Sequence, residues 1–93
     1  MDNKSAIHLI VSGKVQGVSF RWFTVQTGQE YGLGGYAKNL NDGTVEIRAE
    51  GTESKLNLFI DAIKNGPPFS RVDNVIENWS PPTNQFNEFY VAR

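Results

Sequence analysis

Asn41-Asp42-Gly43 sits between two short runs of alternating apolar and polar residues, and no other stretch restricts the fold as much. Gly43 and its Asn and Asp neighbours supply the positive φ that a tight turn between strands requires. Tyr36 to Leu40 leads into the turn and Thr44 to Glu50 leads out of it, with Val45, Ile47 and Ala49 opposing Glu46, Arg48 and Glu50. Side chains alternate faces along a strand, so this period predicts a hairpin with one face turned to a core. Any architecture for the chain must therefore be built around an antiparallel pair near its middle.

The flanking segments fit that frame. Ala6 to Ser12 alternates, with Ile7, Leu9 and Val11 on one face, and reads as a first strand. From Arg21 to Tyr31 the spacing of Phe20, Phe23, Thr27 and Tyr31 follows one helical face, and Gly28 on that side would let a neighbouring element come close. Gly32, Gly34 and Gly35 stop the helix. Thr52 is placed to cap a second helix whose Leu56, Phe59, Ile60 and Ile63 form a buried stripe, ending at Gly66-Pro67-Pro68. Lys55 stands where Glu or Gln would complete a capping box. Val72, Val75 and Ile76 mark a fourth strand of poor alternation, and Pro81-Pro82 separates it from a last run, Phe86 to Val91, which is either a separate piece or the continuation of one interrupted edge. The order β-α-β-β-α-β predicts an α+β fold with two helices packed on one face of an antiparallel sheet.

Composition narrows the chemistry. The 93 residues suit a single domain over 1–93, and 39% hydrophobic against 20% charged residues is the balance of a folded chain. Net charge is −1 and the basic residues are scattered, which argues against a nucleic-acid or membrane surface. There is no cysteine, so disulfides, thiolate catalysis and cysteine-bound zinc are excluded, and the lone His8 cannot make a histidine metal cluster. Met1 to Ser5 leads directly into a short apolar segment, too short for a signal peptide core or a membrane span, and the expectation is a cytoplasmic protein. Gly13-Lys14-Val15 lacks the spacing of a nucleotide P-loop, and no two-glycine dinucleotide fingerprint follows a strand. Ser19 is the only hydroxyl between Gly13 and Arg21 and has no evident base, so a nucleophilic role is not supported.

What remains is a place for an anion. Gly13-Lys14-Val15-Gln16-Gly17-Val18-Ser19-Phe20-Arg21 runs from a strand through a glycine-hinged loop into a helix. The first turn of a helix has amides without intrahelical partners and a partial positive charge. Arg21 at that end is locally unfavourable, and an anion held between it and the amides would reverse the sign of the interaction. Gly17 leaves the backbone free to curl around such a ligand, and no acidic residue occurs from Gly13 to Gln29. Asn39, two residues before the turn, stands where an apolar or β-branched residue is expected. Taken alone, Arg21 is a solvated helix arginine and Asn39 a turn residue; the combination with the loop is what carries weight.

These residues resemble the acylphosphatase family. The resemblance rests on Gly13 to Arg21, on Gly35-Tyr36-Ala37-Lys38-Asn39 and on Asp42-Gly43-Thr44-Val45-Glu46, and extends to the second helix and Phe69-Ser70-Arg71-Val72-Asp73. It implies a ferredoxin-like α/β sandwich that hydrolyses the carboxyl–phosphate bond of small acyl phosphates without metal or cofactor. By position it implies that Arg21 binds phosphate, that the backbone of Gln16, Gly17, Val18, Ser19 and Phe20 forms the phosphate cradle, and that Asn39 holds the attacking water. Inorganic phosphate or sulfate would compete, and nothing demands more than a monomer. Tyr36 replaces the tryptophan usual in the family, and Gly34-Gly35 loosens the usual apolar run, so a more mobile start to the second strand is expected. Two other readings compete: a non-catalytic anion-binding module of the same fold, and a ferredoxin-like RNA binder using Tyr36 and Tyr90, for which the basic rim is missing.

Overall fold

The computed structural model describes residues 3–93; of the leading segment, Met1 and Asp2 lie outside the described residues. The elements are β1 (Lys4–Lys14), α1 (Phe20–Glu30), β2 (Gly34–Asn39), β3 (Val45–Thr52), α2 (Glu53–Asn65), β4 (Arg71–Ser80) and β5 (Phe89–Ala92). They form a five-stranded sheet in the order β4-β1-β3-β2-β5. The expected hairpin is present, with Ala37 opposite Ile47 and Asn39 opposite Val45. At its turn the Asp42 carboxylate accepts from the Thr44 amide at 3.0 Å and from the Thr44 hydroxyl at 2.6 Å. These bonds hold the Asp42 carboxyl below its ordinary range.

Alternation decides which face is covered. Ile7, Leu9 and Val11 of β1 and Val45, Ile47 and Ala49 of β3 all point to the helix side and are essentially inaccessible. There they meet Leu56, Phe59, Ile60 and Ile63, the stripe anticipated on α2, and Phe20 and Val25 of α1. Full burial of an aliphatic or aromatic side chain of this size stabilises the fold by about 1.5–3 kcal/mol, so this layer dominates the energetics. On the opposite face Glu46 receives a hydrogen bond from the Tyr36 hydroxyl at 3.0 Å and pairs with His8 Nε2 at 2.9 Å. Burial pushes the Glu46 carboxyl up, but these partners outweigh it and the net shift is downward.

The sheet is mixed where an antiparallel one was expected. Three pairings are antiparallel, but β5 runs parallel to β2, with Tyr36 beside Tyr90. The cause is the route of the chain. β4 runs antiparallel to β1 and finishes at the end of the sheet where β2 begins, so a segment crossing there enters beside β2 in the same direction. Glu50 fixes that crossing, accepting from the amides of Thr83 and Asn84 at 2.9 Å and from the Thr83 hydroxyl. The last two strands are thus separate pieces at opposite edges.

Smaller differences have local reasons. α1 starts at Phe20, one residue before the position read from sequence, with Ser19 at the N-cap in a left-handed conformation and making no side-chain cap. Thr52 does hold the N-cap of α2, but its hydroxyl makes no capping bond, and the Glu53 amide donates instead to the Asn3 carbonyl at 2.8 Å. Gly28 is where the close approach occurs: a Cβ there would lie 2.3 Å from the Phe89 ring on β5. Gly34 and Gly35 are part of β2, against Phe86 and the Arg48 carbonyl respectively. Among the described residues no helix is long and apolar enough to cross a membrane.

Candidate active site

β1, β2 and β5 share one direction, since β1 and β2 both oppose β3 and β5 parallels β2. Their C-terminal ends therefore lie together, and the loop after β1, the last residue of β2 and the close of β5 converge there. The register of β1 on β4 slips between Ser12 and Gly13, a bulge that turns the strand out of the sheet. Gly13 adopts φ 126°, and a Cβ on it would stand 2.1 Å from the Arg71 carbonyl oxygen. Gly17 is also left-handed at φ 74°, yet nothing lies within 4 Å of its would-be Cβ. The two glycines thus do different things. A side chain at Gly13 collides with backbone, whereas one at Gly17 meets only conformational strain.

Gly13→Ala is accordingly expected to destabilise the protein by about 2–4 kcal/mol, from strain and overpacking together, and to lower the melting midpoint by about 10 °C or more. Gly17→Ala should cost about 1 kcal/mol. Thermal denaturation followed by circular dichroism measures both, and a Gly13→Ala midpoint within about 2 °C of the parent would refute the close approach.

From the bulge the loop is anchored by Val15, which is buried, and Val18, which packs on the core. Gly17 and Ser19, at φ 74° and 63°, put left-handed turns at alternate positions. That pattern draws successive amides toward a common point. Among the described residues Gln16, Gly17, Val18, Ser19 and Phe20 donate no backbone hydrogen bond to another backbone group. The Ser19 carbonyl accepts from the Phe23 amide at 3.0 Å, which seats the loop on the first turn of α1.

The cleft in front of the loop has a volume of about 190 Å³ and is lined by Gly17, Ser19, Phe20, Arg21 and Asn39, with Val15, Trp22 and Val91 as apolar walls. Arg21 is half-buried and reaches β5, its Nη1 donating to the Ala92 carbonyl at 3.4 Å. No carboxylate pairs with it among the described residues. Asn39 contributes a buried Oδ1 with no hydrogen-bond partner. An acceptor in that condition is destabilising unless something donates to it. The cleft is not the largest in the molecule: cavities of about 370 and 450 Å³ occur beside Lys4 and Lys55 and over Tyr36 and Arg48. Neither combines open amides, an unpaired guanidinium and an orphaned acceptor, and that combination singles out the smaller cleft.

The structure brings part of the residue set anticipated from sequence to one cleft. Gly17, Ser19, Phe20, Arg21 and Asn39 converge on the cleft, while the side chains of Gln16 and Val18 turn away from it. The walls were missed. Trp22, which is 63% exposed, follows Arg21 directly and lies off the apolar stripe of its helix, and that position was a usable signal. Val91 and Ala92 were not accessible to sequence reading, since they reach the site only through the crossing to β5.

Residues 7–91 match the profile of the family described as acylphosphatase. The chain belongs to that family. It is 42% identical over 88 residues to the acylphosphatase of Caldanaerobacter subterraneus subsp. tengcongensis, covering 95% of this chain and 98% of that one. The crystal structure of acylphosphatase from Bacillus subtilis superposes with a TM-score of 0.93 at 39% identity, covering 96% of this chain and 99% of the other. Full-length HypF in its phosphate- and nucleotide-bound form also contains the fold, with a TM-score of 0.89 at 28% identity over all of this chain but 12% of that one. The protein is an acylphosphatase, an enzyme that hydrolyses the carboxyl–phosphate bond. The non-catalytic reading is not favoured.

Proposed function

We propose that the cleft at Arg21 and Asn39 is the active site, and that residues 1–93 act as one catalytic domain on small acyl phosphates without metal or cofactor. The buried, unpartnered Asn39 Oδ1 beside the loop amides and Arg21 carries this reading, because it offers a water acceptor next to an anion cradle. The phosphate oxygens bind the amides of Gln16 to Phe20 and the guanidinium of Arg21. Water donates one hydrogen to Asn39 Oδ1, which turns its lone pair toward phosphorus. As the new P–O bond forms, the bond from phosphorus to the acyl oxygen breaks, a carboxylate departs, and the water's proton passes to a phosphate oxygen. No strong base is needed, since the carboxylate is a good leaving group and catalysis rests on positioning and charge stabilisation.

The same cradle accepts inorganic phosphate or sulfate as a competitor. We also propose that the enzyme works as a cytoplasmic monomer, with no nucleic-acid or membrane partner. Release of phosphate from benzoyl or acetyl phosphate in excess EDTA should proceed at the rate seen without chelator. Turnover abolished by EDTA would overturn the metal-free mechanism, and absence of turnover in either condition would overturn the site.

A further inference from the structure

The loop and the hairpin are separate pieces of chain, yet catalysis needs the anion held by one and the water held by the other in fixed relation. One side chain joins them. Gln16 Nε2 donates to the Leu40 carbonyl at 2.8 Å and to the Thr44 carbonyl at 2.9 Å. Leu40 follows Asn39 directly, and Thr44 precedes Val45, which lies opposite Asn39 in the β2–β3 ladder. Both acceptors already belong to the turn: the Gly43 amide donates to the Leu40 carbonyl at 3.2 Å, and the Leu40 amide to the Thr44 carbonyl at 2.9 Å. Gln16 thus uses the second lone pair of each and clasps the closing hydrogen bonds of the hairpin without displacing them.

We propose that Gln16 is a positioning residue, whose side chain sets the distance from the phosphate cradle to Asn39 and acts on the reaction through Asn39. The assignment rests on the proposed roles of Asn39 and the cradle. Its physical basis is that Asn39 Oδ1 has no hydrogen-bond partner to steer it, so the side chain follows its backbone. Among the described residues, the backbone in turn is tied to the cradle by the Gln16 amide alone among the side-chain hydrogen bonds between loop and turn. The Gln16 amide takes its place in this clasp while its backbone N–H stays in the cradle, so one residue serves both halves of the site.

The test is a double-mutant cycle of Gln16→Met with Asn39→Ala, read as kcat on benzoyl phosphate and as the inhibition constant of inorganic phosphate. Methionine keeps the length of the side chain and removes both donors. Gln16→Met should lower kcat by about 10-fold, short of the ~10²-fold that a full ångström of misplacement costs, and change phosphate inhibition by less than about 3-fold. In the Asn39→Ala background it should have no further effect on kcat. Parallel loss of kcat and phosphate affinity would show that the Gln16 side chain serves the cradle itself and would overturn the proposal. So would an unchanged kcat with a lowered melting point, which is the signature of a purely structural bond. If Asn39→Ala alone leaves kcat intact, the assignment of Asn39 fails; if it lowers kcat but the two effects multiply, only the coupling fails. In the unmodified protein, inorganic phosphate should slow amide exchange at Leu40 and Gly43, a measurement that does not depend on a folded variant, and unchanged exchange would overturn the proposal.

Discussion

Arg21→Gln is expected to remove nearly all turnover and, with it, competition by inorganic phosphate. Glutamine retains a donor and much of the length but removes the charge and the fork geometry that matches two phosphate oxygens at once. Among the described residues the half-buried Arg21 makes one side-chain hydrogen bond, to the Ala92 carbonyl, and that bond is long at 3.4 Å. Its loss therefore removes little from the fold, so the expected melting point stays within a few degrees of the parent. Removing one donor that stabilises developing charge typically lowers the rate by ~10²–10³-fold, and here binding fails as well, so kcat/KM should fall by more than ~10³-fold. Steady-state kinetics with benzoyl phosphate, and phosphate inhibition measured beside them, decide the matter. Retained inhibition with lost turnover would move Arg21 from binding to the chemical step.

Asn39→Ala separates the two functions in the other direction. The side chain contributes no hydrogen bond through Oδ1 to the protein, so its removal relieves a buried orphan acceptor and should leave the fold at least as stable. The cradle amides are on a different segment and keep their geometry. We expect kcat to fall ~10²–10³-fold, the range for loss of a positioned polar group, with the inhibition constant of phosphate unchanged within about 3-fold. Loss of phosphate affinity in a folded Asn39→Ala protein would contradict the division of roles.

The hairpin and the helical stripe were readable because their signals are local. Asp42 and Gly43 specify the turn chemically, and Leu56, Phe59, Ile60 and Ile63 repeat at the period of the helix they form. The candidate cradle could be proposed for the same reason, since Gly13, Gly17 and Arg21 fall within nine consecutive residues. What escaped depends on tertiary placement. Whether Phe86 to Val91 continued an edge or formed a new one was set by the Glu50 tether on Thr83 and Asn84, which no spacing reveals. The parallel partner of β2 followed from that crossing, and so did the approach of Val91 and Ala92 to Arg21. Gln16 was legible as backbone and not as side chain, because its acceptors lie 24 and 28 residues further on.

The contact from Arg21 to Ala92 spans 71 residues, and it bears on how the enzyme is made. Non-local closures of this kind slow folding, because loop entropy is lost before the contact that compensates it forms. A chain emerging during synthesis carries its cradle and hairpin early but lacks the wall of the cleft until the final strand is added beside β2. Because Val91 lines the cleft and Ala92 accepts from Arg21, that side of the cleft is complete only once β5 lies beside β2.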